Sequence, residues 1–149
     1  MYSFNGCPHH CPGCHNPETW SSSGGELFNI DDTIINILEY INENGIQRNL
    51  SILGGEPLWR PNAEFTAALA AAAREKYPNI KICVWTGYLY EDIKDDETIN
   101  NLFQSIDYLI DGPYRQRERD ITLKWRGSRN QRVIDIKQTL EKGDIILYG

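Results

Sequence analysis

Three of the four cysteines fall within one short segment, Cys7-Pro8-His9-His10-Cys11-Pro12-Gly13-Cys14-His15-Asn16. Cysteines so close together bridge one another poorly, and one of three is always left over. Thiolates on one loop suit a soft metal centre instead. Two centres fit the donors. Zinc takes Cys7, Cys11 and Cys14 with one of His9, His10 or His15 in a closed tetrahedral site. An iron–sulfur cluster takes the three thiolates and keeps one iron open for chemistry, since a four-iron cluster normally uses four. The second cysteine pair that zinc knuckles commonly use does not occur, and Cys83 lies in an apolar run where it reads as a small buried hydrophobe.

These residues need a frame. Residues 2–4 read as the end of a strand that runs into the loop 6–20. A helix is expected over 32–43 from Ile34, Ile35, Leu38 and Ile41, with Asp31 as N-cap and Gly45 as its stop. A strand at 49–53 ends on Gly54-Gly55-Glu56-Pro57. An alanine-rich helix follows over 61–76, then a strand at 80–85 ending before Thr86-Gly87-Tyr88. A helix near 95–105 and a strand at 106–110 lead to Asp111-Gly112-Pro113, and a last strand is read at 133–136.

Strand and helix alternate three times, which specifies βα units and a mostly parallel sheet with right-handed crossovers. Ligands of such sheets collect at the carboxyl ends of the strands. The cysteine loop and the three segments containing Gly54, Gly87 and Gly112 all fall there. A closed eight-stranded barrel needs about 250 residues. A chain of 149 residues builds part of one, so the expected fold is α/β, a partial and laterally open (β/α) barrel in one domain spanning 1–149.

Composition narrows the function classes. Hydrophobic residues at 40% and charged residues at 24% describe a globular chain and exclude a disordered one. No apolar run reaches the roughly 18–20 residues of a spanning helix, and no secretory pattern opens the chain, so a cytoplasmic protein without a membrane is expected. A net charge of −6 disfavours nucleic acid as partner. The charge is uneven: six basic and 16 acidic residues precede Pro113, nine and five follow from it onward. The basic end offers a surface for an acidic partner.

The Cys-x₃-Cys-x₂-Cys spacing after a strand end, read with Gly54-Gly55-Glu56-Pro57, resembles the radical S-adenosylmethionine superfamily. The resemblance implies a barrel of that type, a 4Fe–4S cluster on Cys7, Cys11 and Cys14, and S-adenosyl-L-methionine bound at the open iron. Gly54 and Gly55 would let the backbone approach that ligand, and Glu56 would bring a carboxylate toward its amino group, while Gly13, Cys14 and His15 would lie against its adenosine end. Segment 6–20, Trp85-Thr86-Gly87-Tyr88, Asp111-Gly112-Pro113 and Arg126-Gly127-Ser128-Arg129-Asn130-Gln131-Arg132 resemble more narrowly the activating proteins of anaerobic (class III) ribonucleoside-triphosphate reductases. Gly13, where the wider superfamily carries an aromatic residue, agrees with that narrower family.

The narrower resemblance implies an oxidoreductase that cleaves S-adenosylmethionine reductively and abstracts a hydrogen from its partner, the reductase, leaving a glycyl radical there. A flavodoxin-type protein would supply the electron. The chemistry is cofactor-borne, so no catalytic acid or base is expected, and His9 and His10 read as loop or surface residues. Members of that family carry a longer segment ahead of the cysteines, so a truncated first strand is expected. Residues 126–132 would close the site or contact the reductase. The alternatives are an activase of another glycyl-radical enzyme, such as pyruvate formate-lyase, and a non-catalytic zinc-binding adaptor.

Overall fold

The computed structural model describes residues 7–9, 11–12, 30–46 and 48–148. The strand expected at 2–4 and the site residues Gly13, Cys14 and His15 lie outside them. Among the described residues, four strands form one open mixed sheet in the order β1 (Leu50–Ile52), β2 (Ile82–Trp85), β3 (Tyr108–Asp111) and β4 (Arg132–Asp135). The first three are parallel, as the alternation requires, with Ile52 beside Val84 and Val84 beside Leu109. β4 runs antiparallel to β3, reached by the long connection 112–131 that carries no crossover helix.

Helices cover one face. α1 (Ile30–Ile41) begins one residue ahead of Asp31, which therefore sits in the first turn with Asp32, where carboxylates favour the positive end of the helix dipole. Its inner stripe is Ile34, Ile37, Leu38 and Ile41 at i, i+3, i+4, i+7, leaving Ile35 exposed, contrary to expectation. α2 (Arg60–Lys76) buries Ala63, Ala70 and Ala73, whose small side chains let it lie close to its neighbours. The helix expected near 95–105 is α4 (Glu97–Phe103), started where the Asp96 carboxylate accepts the Ile99 N–H at 3.1 Å; a single turn that was not anticipated, α3 (Tyr90–Ile93), precedes it. α5 (Ile136–Lys142), not anticipated from the sequence, starts on the last residue of β4, where Asp135 accepts the Gln138 N–H at 3.0 Å.

The alternation of each strand sorts its residues. Leu50, Ile52, Ile82, Val84, Leu109 and Ile134 pack against the helices in one apolar cluster with Leu69, Leu102 and Phe103. Cys83, Trp85 and Tyr108 face the other side and are half-buried. Trp85 Nε1 donates to the Trp125 carbonyl at 2.6 Å, and Trp125 stacks on Tyr148 at 5.3 Å. Burial first, then the nearby Asp107 charge, pushes the Cys83 thiol up to about 11, so it stays protonated.

Asp107 ties the lower edge of the sheet. Its carboxylate accepts from Arg74 at 2.7 Å, the Ile82 N–H at 2.8 Å and Lys137 at 2.9 Å, joining α2, β2 and α5. Burial alone would raise its pKa, but the bonds from Lys137, Ile82 and Arg74 outweigh it and hold the carboxyl below its ordinary 3.8. A depressed pKa contributes stability above the ordinary value and loses it as pH falls through the folded one. Asp107→Asn should therefore cost about 1–3 kcal/mol at neutral pH. In denaturant unfolding the gap to wild type should narrow below pH 3.8; a gap independent of pH would contradict the assignment.

Candidate functional site

The site grows from one buried carboxylate. Glu56 follows β1 on the Gly54-Gly55 turn, where Gly54 takes φ 137°, a backbone conformation that side chains rarely allow. The turn drives Glu56 inward, and only 1% of the residue is exposed. An unpaired carboxylate at that depth would be costly. Both oxygens are instead filled by donors from the neighbouring loops. Oε1 accepts the Thr86 hydroxyl at 2.6 Å and the Leu58 N–H at 3.0 Å. Oε2 accepts the Gly87 N–H at 2.7 Å and His9 Nε2 at 2.7 Å.

The four donors come from three stretches of chain. Leu58 leads into α2, Thr86 and Gly87 end β2, and His9 lies between Cys7 and Cys11 on the cysteine loop. The imidazole meets Tyr88 edge-on at 4.6 Å between centroids. Thr86 Oγ1, having donated to Glu56, accepts the Tyr88 N–H at 3.1 Å. The Tyr88 carbonyl in turn accepts the Gly112 N–H at 3.0 Å, which brings in the end of β3. There the fully buried Asp111 accepts the Tyr90 N–H at 2.8 Å and both Nε and Nη2 of Arg132, whose Nη2 also reaches Glu91. The bond to Asp111 first, then that to Glu91, raises the Arg132 pKa further.

Glu56 and the loops that carry Gly87 and Gly112 thus join at one rim, with His9 of the cysteine loop on it; Cys7 and Cys11, two residues to either side of His9, are half-buried. Burial raises the Tyr88 phenol above its usual 10, with added contributions from the Glu56 and Cys7 charges. Among the described residues no three of His, Cys, Asp and Glu converge as metal ligands. Cys14, with Gly13 and His15, lies outside them.

The donors nonetheless suit a thiolate-held iron–sulfur cluster better than zinc on His9. Of the described donors on this loop, the two cysteines are sulfur, and His9, bonded to Glu56 through Nε2, does not converge with them as a metal ligand. Sequence reasoning weighs His9 only as a zinc ligand or a loop residue and Thr86 only as part of a rim segment, and finds the bond of neither to Glu56. A single histidine in a cysteine loop carries no mark of a partner 47 residues away.

The basic segment is divided in its duties. Arg126 Nη1 donates to the Gln131 carbonyl at 2.7 Å and Arg132 is spent on Asp111, so both close the loop internally. Arg117, Arg119, Lys124 and Arg129 point into solvent.

Comparison with known proteins agrees with this donor set. A family model described as a 4Fe-4S single cluster domain matches residues 1–134. The anaerobic ribonucleoside-triphosphate reductase-activating protein of Enterobacteria phage T4 is 37% identical over 130 residues, covering 86% of this chain and 78% of that protein. Proteins of the same description from Haemophilus influenzae (38% identical, 85% of this chain, 81% of that one) and Escherichia coli strain K12 (37%, 87% and 82%) are similarly related. No solved structure matches significantly. The chain belongs to the family of anaerobic ribonucleoside-triphosphate reductase-activating proteins, within the wider group of 4Fe-4S single cluster domains.

Glu56→Gln tests the carboxylate. One side-chain oxygen becomes an NH₂ group, which must face donors on whichever side it lies. The expected loss is about 1–3 kcal/mol in thermal or denaturant unfolding. Unchanged stability would mean that the four bonds do not form.

Proposed function

We propose that this protein activates an anaerobic ribonucleoside-triphosphate reductase by installing a glycyl radical on it. The observation that carries the reading is the junction of the cysteine loop with the Gly54-Gly55-Glu56 turn through His9 and Glu56, in a chain whose relatives are named as activating proteins of that reductase. The same relatives do not favour a pyruvate formate-lyase activase or a zinc adaptor. Cys7, Cys11 and Cys14 hold a 4Fe–4S cluster. The cluster, when bound, supplies the electron that cleaves S-adenosyl-L-methionine and so starts the hydrogen abstraction.

The chain's own residues do the positioning. Gly54, Gly55 and Glu56 receive the amino group of S-adenosylmethionine, Glu56 through its main chain because both carboxylate oxygens are occupied. Gly13, Cys14 and His15 border the adenosine. The open sheet is part of a laterally open barrel of radical S-adenosylmethionine type, and the glycine loop of the reductase enters on the side opposite the described helices. The reacting carbon must then approach to about 3–3.5 Å. A flavodoxin-type protein delivers the electron, and the exposed arginines of 117–129 meet acidic groups of the reductase.

Anaerobic reconstitution should give a brown protein with iron and sulfide in equal amounts. Mixed under reduction with S-adenosylmethionine and the reductase, it should produce a glycyl-radical resonance. Cys11→Ala should abolish S-adenosylmethionine cleavage with the fold retained by circular dichroism; cleavage that survives the substitution, or a colourless protein that binds stoichiometric zinc, would contradict the proposal. Arg119→Ala with Arg129→Ala should weaken reductase binding roughly tenfold at low ionic strength and flatten its salt dependence. Equal affinity at low salt would remove the arginines from the interface.

A further inference from the structure

We infer that His9 is a positioning residue for the cysteine loop, acting through Glu56 and seated against the bare backbone of Gly87. The inference rests on the cluster reading above and deepens it by naming what holds that loop in place. Three observations meet on one ring. His9 Nε2 lies 2.7 Å from Glu56 Oε2, an oxygen that also accepts the Gly87 N–H. That acceptor cannot drift, because Glu56 is 1% exposed and its other oxygen is held by Thr86 and Leu58. The ring is also gripped from its flank by Tyr88.

The third observation is steric. A Cβ built on Gly87 would lie 2.6 Å from His9 Cδ2, 2.7 Å from Nε2 and 2.9 Å from Cγ, closer than real side-chain carbons come. No positive φ explains that glycine; it is required by the approach of the imidazole. The histidine is thus seated between backbone and carboxylate, with Cys7 two residues before it and Cys11 two after. Fixing the middle of so short a loop limits where both thiolates can stand. Outer residues that orient metal ligands typically change metal affinity by about 10–100-fold when removed.

The test uses the full chain, reconstituted without oxygen, and reads cluster retention against an iron chelator alongside kcat and KM for S-adenosylmethionine. His9→Ala should lose its cluster roughly tenfold faster than wild type. It should also raise KM for S-adenosylmethionine, with circular dichroism unchanged. His9→Gln, whose amide nitrogen replaces Nε2 as donor to Glu56, should recover most of both. Gly87→Ala should weaken retention by displacing the ring. In the double variant the ring is gone, so Gly87→Ala should add little to His9→Ala.

Wild-type retention and KM in His9→Ala, no recovery by His9→Gln, or full additivity of the two substitutions would each overturn the inference. A wild-type chain that takes up no cluster would remove the underlying reading instead, so the two failures are distinct.

Discussion

A carboxylate buried away from solvent must be matched by donors, and the geometry of this rim follows from that constraint. Glu56 has four donors from three separate stretches of chain, two of them main-chain amides. Main-chain donors cannot swing away without moving the strands that carry them. The carboxylate therefore fixes the spacing between the ends of β1 and β2, and the histidine extends that fixed frame to the cysteine loop. A charge-assisted bond in a buried site is stronger than its counterpart in water. The same depth makes every missing partner costly, so the arrangement forms as a unit.

The rest of the rim repeats the device on a second buried carboxylate. Asp111 at the end of β3 is satisfied by Arg132 and the Tyr90 amide, and Gly112 bonds back to Tyr88. An antiparallel fourth strand is what makes this possible, since it returns Arg132 beside Asp111 in register. Strand ends that would otherwise fray are thus locked sideways to one another. Reactive chemistry borne by a cofactor needs little from side chains beyond accurate placement and exclusion of water, and a rim locked in this way supplies placement.

Much of this was legible before any coordinates. The alternation of apolar strands with helices placed the cysteine loop, Gly54-Gly55-Glu56, Thr86-Gly87 and Asp111-Gly112 on one edge, and β1, β2 and β3 lie parallel as that alternation demands. What escaped was set by tertiary contact. Ile35 has the hydrophobicity of its neighbours but falls one step off the packed stripe of α1. The single turn α3 ahead of Asp96 is too short to show a periodicity of its own. Glu56 was read as a carboxylate turned to a ligand, whereas here both of its oxygens face the protein. His9 looked like a loop residue because its partner is distant in sequence.

Amide exchange at Gly87 tests the role of Glu56 most directly. In wild-type protein the Gly87 N–H should exchange nearly as slowly as that of Val84 in the core of β2, although Gly87 itself is only half-buried. In Glu56→Ala its protection should collapse by orders of magnitude while Val84 keeps its own. Fast exchange at Gly87 in the wild type, or protection that survives loss of the carboxylate, would show that the rim is held together by something else.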